Sequence, residues 1–484
     1  MQDSNTRRNL QRLGLALLAV SSSGCVSLSR DAPPLAKVAP DWHATLPHAG
    51  KTTQLVKWWD GFRDPALTTL QRNAESDSPT LASADASIEK ARATLASSRS
   101  GLLPSLTGSG SVTRSGQAGS SSNEVAASTD KSGGLDASWE VDLFGKTREQ
   151  AKAAANRVTE EADDWHQARV SLAAEVADDY VQYRACRKLE TVYRQELLSQ
   201  RDTIKATESS EASGLTATSD LALAKAGAAS SSSTLKAQQA DCQILIKSLA
   251  ELVGGDETLV RRTLRAGPST IPVPSTFAVT SLPADALRQR PDIAALEREI
   301  AASAADIGAA KADFYPSLSL GGSLTIDQSS LTGASRPWSF GPSLSIPLFD
   351  GGQRKSSLKG AYADYDIALA NYQSGIRSAV NEVETALVHV DSTRRQIGDA
   401  ASAAKSYRTY FNAVDQNWKA GGASLLDREE ARRSAQSAEI TLIELRRDSV
   451  RYWIALYKAL GGGWGDKAVG ASNQTASVAK GMSQ

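Results

Sequence analysis

Four stretches of the chain alternate apolar and polar residues with a period of two. From Leu135 to Leu143 the odd positions are Leu135, Ala137, Trp139, Val141 and Leu143, against Asp136, Ser138, Glu140 and Asp142. From Ser317 to Ile326 the even set Leu318, Leu320, Gly322, Leu324 and Ile326 alternates with Ser and Gly and ends beside Thr325. Trp338 to Leu348 sets Trp338, Phe340, Leu344, Ile346 and Leu348 against Ser339, Gly341, Ser343 and Ser345, and Ser105 to Thr113 is a weaker case carried by Leu106 and Val112. Such segments predict strands with an apolar and a polar face, the form that barrel strands take in a membrane. A half-buried sheet in water alternates likewise. Ser/Gly-rich residues 116–131 and polar residues 328–337 predict exposed hairpin tips. Two hairpins cannot enclose an open lumen, since even about eight strands leave only a side-chain-filled interior. Three copies would supply about 12 strands, enough for a pore.

The rest of the pattern is helical. Glu149 to Ala212 contains neither Gly nor Pro and predicts one helix of roughly 96 Å at the standard rise. Its counterpart, Ser356 to Ala420, holds Gly360, Gly375 and Gly398 but no Pro, and spans roughly 98 Å. Leu369, Tyr372, Ile376, Val380, Val383, Leu387 and Val390 step along it mostly by threes and fours, a coiled-coil seam. Helices this long fall outside the usual globular range. Shorter helices are predicted over Pro79–Leu102, Ala217–Val253, Asp285–Phe314 and Ser424–Leu460. Stacked end to end, two short helices match one long one in each half. Pro268, Pro272, Pro274 and Pro283 mark a non-helical connector.

These elements recur in order. Pro104-Ser105-Leu106 returns as Pro316-Ser317-Leu318, Leu143-Phe144-Gly145 as Leu348-Phe349-Asp350-Gly351, and Leu252-Val253-Gly254-Gly255 as Ala459-Leu460-Gly461-Gly462. Gly214–Asp220 matches Gly421–Asp427; Pro79 to Pro104 and Pro291 to Pro316 are both 25 residues, and Gly214 to Gly254 and Gly421 to Gly461 both 40. The expected organisation is a signal peptide over 1–24, an anchored segment over 25–57, a first repeat over 58–255, a Pro-rich connector over 256–284, a second repeat over 285–463 and a flexible tail over 464–484.

The amino terminus is a targeting segment. Arg7, Arg8 and Arg12 precede a short apolar run, Leu13 to Val20, then Ser21-Ser22-Ser23-Gly24-Cys25. That run is too short to span a membrane, which takes about 20 residues. Gly24-Cys25 resembles a lipobox, which makes Cys25 a lipidated first residue; Ser22 stands where Leu is usual. Val26 rather than Asp follows, as in lipoproteins sent to the outer membrane. No later apolar run is long enough for a spanning helix, so crossing by protein requires a closed β-barrel.

Composition narrows the function. The 484 residues carry 54 basic and 54 acidic side chains, which gives no nucleic-acid footprint. His43, His48, His166 and His389 are scattered without metal-ligand spacing, and neither a P-loop nor a nucleophile elbow is present. Neither an enzyme nor a cofactor is expected on these grounds. Glu160, Glu161, Asp163 and Asp164 read as a solvated helix face, and the serine run 230–233 as close helix packing. Cys186 and Cys242 stand at similar distances either side of the turn near Gly214, so antiparallel helices bring them level for a disulfide.

Trp58-Trp59 with Phe62, Asp64 and Pro65, Trp139 to Lys146, Arg290-Pro291-Asp292-Ile293, Phe314 to Leu318 and Pro347 to Gly352 together resemble the TolC-like outer-membrane efflux proteins, in the lipid-anchored OprM/NodT-like branch that serves resistance-nodulation-division pumps. The resemblance covers residues 56–464. It implies a homotrimer with a 12-stranded β-barrel in outer-membrane lipid, continued by an α-helical coiled-coil barrel through the periplasm. It also implies a palmitate-bearing Cys25, a periplasmic adaptor and an inner-membrane pump as partners, and export of drugs or other small molecules through a passive duct. A periplasmic coiled-coil adaptor or structural lipoprotein is the alternative; it would not need the two strand pairs. By position, the resemblance places Asp427 and Glu430 as carboxylate rings at the periplasmic aperture, Asp220 as the acidic lock residue and Trp418 as a steric plug. Ala423 stands where the lock's basic residue is usual, leaving Arg428 or Lys419 as substitutes. The alternative for Asp427 is a carboxylate at a helix start.

Overall fold

The computed structural model describes residues 58–118, 125–274, 287–330 and 333–463. The signal peptide, the anchored segment with Cys25, the later part of the connector and the tail lie outside the described residues. In chain order the elements are α1 (Pro65–Asp77), α2 (Pro79–Ser100), β1 (Ser105–Ala118), β2 (Val125–Val141), α3 (Lys146–Ala212), α4 (Thr218–Leu252), α5 (Glu257–Ala266), α6 (Pro291–Ala312), β3 (Ser317–Ser329), β4 (Gly333–Ser335), β5 (Trp338–Ser345), α7 (Gln353–Lys419) and α8 (Leu425–Ala459). The halves match in length: α3 and α7 have 67 residues each, α4 and α8 have 35, and α2 and α6 have 22. No described helix is long and apolar enough to cross a membrane.

The chain divides into two compact units. One holds Ala93–Asn156 and Ile300–Leu369, and with them every strand among the described residues. All its strand pairs are antiparallel. β1 pairs with β2 and β2 with β3; β5 then pairs with the first part of β3 and β4 with its last three residues. The sheet is therefore four strands wide, its fourth strand interrupted between Ser335 and Trp338. The strands outrun the alternation that announced them, because backbone pairing continues through residues 125–131, expected as a loop. Cross-strand hydroxyl pairs hold that polar stretch, Ser111 with Ser132 at 2.9 Å and Ser115 with Ser128 at 2.9 Å.

The second unit takes the described residues up to Arg92, Arg157–Glu299 and those from Ala370 on. Its core is built on α1, α3, α4, α5, α7 and α8, with Leu70, Tyr180, Leu249, Val260, Leu387 and Leu456 fully buried. Trp58 stacks on Tyr457 at 4.8 Å and closes the core against the start of the described chain. Helix α1 was not anticipated. Its local signal is Asp64-Pro65: Asp64 Oδ1 accepts from the Ala66 and Leu67 amides at 3.0 and 3.3 Å, and proline takes the first helical position. Oδ2 of the same carboxylate accepts the Tyr180 hydroxyl at 2.6 Å, tying α1 to α3.

Helix α5 also corrects the non-helical reading of the connector's start. Asp256 caps it by accepting from the Leu259 amide at 3.0 Å, and Val260 and Leu264 bury its apolar side. Helix α6 begins at Pro291 rather than Asp285, because Pro fits the first helical position and restrains the residue before it.

Candidate functional site

Two places in the fold present chemistry: the faces of the sheet, and the ends of the long helices at the turns around Gly214 and Gly421. In the sheet, register turns the alternation into continuous rows. Leu106 pairs with Ala137, Ala137 with Gly322 and Gly322 with Phe340; Leu135 pairs with Leu324 and Leu324 with Trp338. Trp139 with Leu320, Val141 with Leu318, and Leu318 with Leu344 extend the same face. It is uncovered within the chain, with Trp338 76% and Phe340 75% exposed. Exposed aromatics in such a row, backed by no second layer, suit hydrocarbon and not water. The opposite face carries Thr107, Ser109, Asp136, Ser138, Glu140, Ser323 and Ser339.

Matching corners join this sheet to the helices. Gly145, Gly351 and Gly352 take positive φ of 83°, 64° and 94°, where a side chain would be strained. Beyond each corner an arginine clamps an aspartate. Arg148 donates to Asp142 Oδ2 from its amide at 2.9 Å and from Nε at 3.1 Å. Arg354 bonds Asp350 at 3.0 Å and the Asp313 carbonyl at 2.8 Å. Amide and guanidinium bonds from Gly352 and Arg354 hold the Asp350 carboxyl below its ordinary range.

At the far ends of α3 and α7 the chain turns on Gly214 and Gly421, at φ 74° and 79°. Leu215 donates to the Ser210 carbonyl at 2.9 Å and Gly422 to the Asn417 carbonyl at 2.9 Å, the same helix-closing bond in both. Asp427 stands in the first turn of α8 in a capping box: its amide donates to Ser424 Oγ at 3.1 Å, and its carboxylate accepts from the Ser424 amide at 3.1 Å. Bonds from the Ser424 hydroxyl and amide lower its carboxyl from the ordinary value. Asp427 is thus a helix-start carboxylate that remains exposed, with exposed Glu430 on the same helix. Asp220 lies half-buried in the first turn of α4. Among the described residues it bonds with neither Asp427 nor Trp418.

The two basic residues considered as lock substitutes are engaged within the chain. Arg428 is buried, with Nε on Asp415 at 2.6 Å and Nη1 on Thr203 Oγ1 at 2.6 Å. Its guanidinium lies 4.6 Å from the Trp418 ring centroid, so that half-buried indole is a stacking partner of Arg428. Lys419 pairs with the other Asp415 oxygen at 2.7 Å. Burial pushes the Asp415 carboxyl up, but Lys419 and Arg428 outweigh it and hold it below its usual range.

Sequence reading missed the rest of this network. Glu196, Gln200 and Thr203 recur at helical spacing on α3 and meet Arg428, Glu429 and Arg432 of α8. Gln200 donates to Glu429 at 3.0 Å, and Arg432 pairs with both Glu196 and Glu429. Burial, then Arg433 beside it, lowers Arg432 to about 10, still cationic at neutral pH. The available signal was a polar stripe on a helix otherwise packed by apolar residues. Ser230 and Ser231 of the serine run line a groove beside this network with Gly227, Glu196 and Arg432. Farther along, Cys186 and Cys242 join α3 to α4 through an S–S bond of 2.05 Å, with Cα atoms 5.7 Å apart.

This architecture has solved counterparts. The open-state outer-membrane channel MtrE of Neisseria gonorrhoeae aligns with a TM-score of 0.79 and 26% identity, over 91% of this chain and 98% of that one. Nodulation protein T of Rhizobium leguminosarum bv. trifolii is 28% identical over 448 residues, 91% of this chain and 95% of the relative. The solvent efflux pump outer membrane protein SrpC of Pseudomonas putida is 29% identical over 462 residues, 91% of this chain and 96% of the relative. The outer membrane efflux protein family matches residues 70–255 and again 282–462, one match to each half, and the chain belongs to that family.

Proposed function

We propose that this chain forms the outer-membrane duct of a tripartite efflux system, a passive channel driven by an inner-membrane resistance-nodulation-division pump through a periplasmic adaptor. The observation that carries this reading is the uncovered apolar face of the sheet, with polar side chains opposite and a relative named for solvent efflux. Among the described residues β1 and β5 pair on one side only. Backbone groups on such edges cost several kcal/mol each in lipid, so further copies must close the sheet. Three copies would make about 12 strands with a polar lumen. The halves 58–255 and 285–463 then act as two repeats, each giving a hairpin of strands and a long helix to a common tube, with lipidated Cys25 as an additional anchor.

At the turns, Asp427 and Glu430 from three chains would ring the aperture and favour cations. Asp220 and the Arg428–Trp418 stack would restrain it. Native mass spectrometry of detergent-extracted protein should give a trimer; a monomer that inserts stably in bilayers overturns the reading. Conductance of reconstituted protein tests the ring, since Asp427→Asn with Glu430→Gln should lower cation selectivity and divalent block. Unchanged selectivity would remove both residues from the aperture.

A further inference from the structure

Charge on the sheet is sorted by face. The carboxylates Asp130, Asp136, Glu140 and Asp327 share the polar face, in register with Ser329, Ser323, Ser319 and Ser132. The cations Arg114 and Lys131 are on the other face, the one that carries Leu106, Leu135, Leu324 and Ile326. Lys131 pairs with Val112, and Arg114 with Thr129, which makes Arg114 and Lys131 diagonal neighbours within side-chain reach. Both are exposed.

Their height is informative. From Val141, beside the corner, to Lys131 is ten residues along β2, about 34 Å of strand. At the tilt usual for barrels this is about 24–28 Å along the membrane normal, the height of an apolar band. The cations therefore stand where hydrocarbon gives way to headgroups on the side away from the helices.

Below them the same face is grooved. A cavity of about 510 Å³ is lined by Lys131, Gly133, Leu135, Leu324, Ile326 and Gln328. Gly133 opens it, since a Cβ built there would meet nothing within 4 Å. The groove has apolar walls, a cationic rim at one end and an amide beside it.

We infer that this groove seats an acyl chain of a phosphorylated glycolipid of the outer leaflet, with Lys131 and Arg114 holding its phosphate. The inference rests on the proposed membrane orientation. A zwitterionic lipid would satisfy the apolar walls but leave two cations without an anion, and a free phosphate would use the cations but not the groove.

The test is lipid retention by the full-length protein, read by native mass spectrometry after incubation with a diphosphorylated, multiply acylated glucosamine disaccharide lipid. The wild type should retain it in preference to its dephosphorylated form and to phosphatidylcholine. Arg114→Gln with Lys131→Gln should cut retention about 30-fold, at the usual strength of a basic residue near a lipid surface. Arg114→Lys with Lys131→Arg should keep it, and Gly133→Leu, which fills the groove with charge unchanged, should weaken it. Equal retention by wild type and the double Gln variant, no preference for the phosphorylated lipid, or displacement by inorganic phosphate alone would each overturn the assignment. Bilayer conductance of every variant separates the two readings. A protein that conducts but shows no lipid preference refutes this site alone; a wild type that never inserts refutes the duct.

Discussion

The two long hairpins, α3 with α4 and α7 with α8, are equal in length but are held at different places. The first is stapled well away from its turn by Cys186–Cys242, which closes a separation of 56 residues. At the turn itself its second helix starts on Ala217, which supplies no side-chain cap. At the corresponding steps of the second hairpin stand Thr393 and Ser449, which cannot bridge. That hairpin is secured at its turn instead, by the Ser424–Asp427 capping box and the Arg428–Asp415 pair. One sequence repeat thus supports a covalent restraint in mid-hairpin and a polar restraint at the turn.

Breaking the staple should have the largest effect. Cys186→Ser with Cys242→Ser is expected to cost about 4 kcal/mol for a loop of this length, seen in calorimetry as a lower melting temperature that reductant no longer changes. The reciprocal pair, Thr393→Cys with Ser449→Cys, should form a bridge under oxidising conditions, detectable by thiol titration. If it does not, the two hairpins are not equivalent at that level.

Removing the buried cation comes next. Arg428→Ala leaves Asp415 with only Lys419 and Thr203 with only its bond to the Ser199 carbonyl, at a cost of about 3 kcal/mol. Proteolysis should then begin at the second turn rather than the first; unchanged cleavage would place the restraint elsewhere. Smaller changes should make the turns more alike. Ser424→Ala should cost about 1 kcal/mol, and Ala217→Ser should gain up to about 1 kcal/mol, read as opposite shifts in urea midpoint.

A pH-dependent effect separates the other ends of the long helices. Glu160 of α3 is pushed up to about 8, by burial first and then by Glu299. At the same step of α7 stands exposed Ile367. The folded chain holds a proton there that the unfolded chain releases. That contribution is full below the ordinary value of 4.5 and is lost as pH rises through about 8. Melting temperature should fall between those values, and Glu160→Gln should flatten the fall; an identical slope would show that Glu160 does not hold the proton.

Several of these features were legible in the sequence because they depend on the chain's own periodicity. Absence of Gly and Pro across Glu149–Ala212 is enough for a long helix, and the alternation from Leu135 to Val141 gives a strand with unlike faces. Cys186 and Cys242 could be brought level because a helical hairpin converts sequence distance to height. Other features depend on which element packs beside which. Nothing local in Glu196, Gln200 and Thr203 says that α8 will meet them with Arg428 and Arg432. That Lys131 meets Val112 and Asp136 meets Ser323 across the sheet follows from register, which a one-residue slip would change. Short-range periodicity is written in successive residues and therefore readable from them. The partners of a buried charge and the neighbours that a strand's side chains meet across the sheet are set by contacts between distant parts of the sequence, which only the folded chain decides.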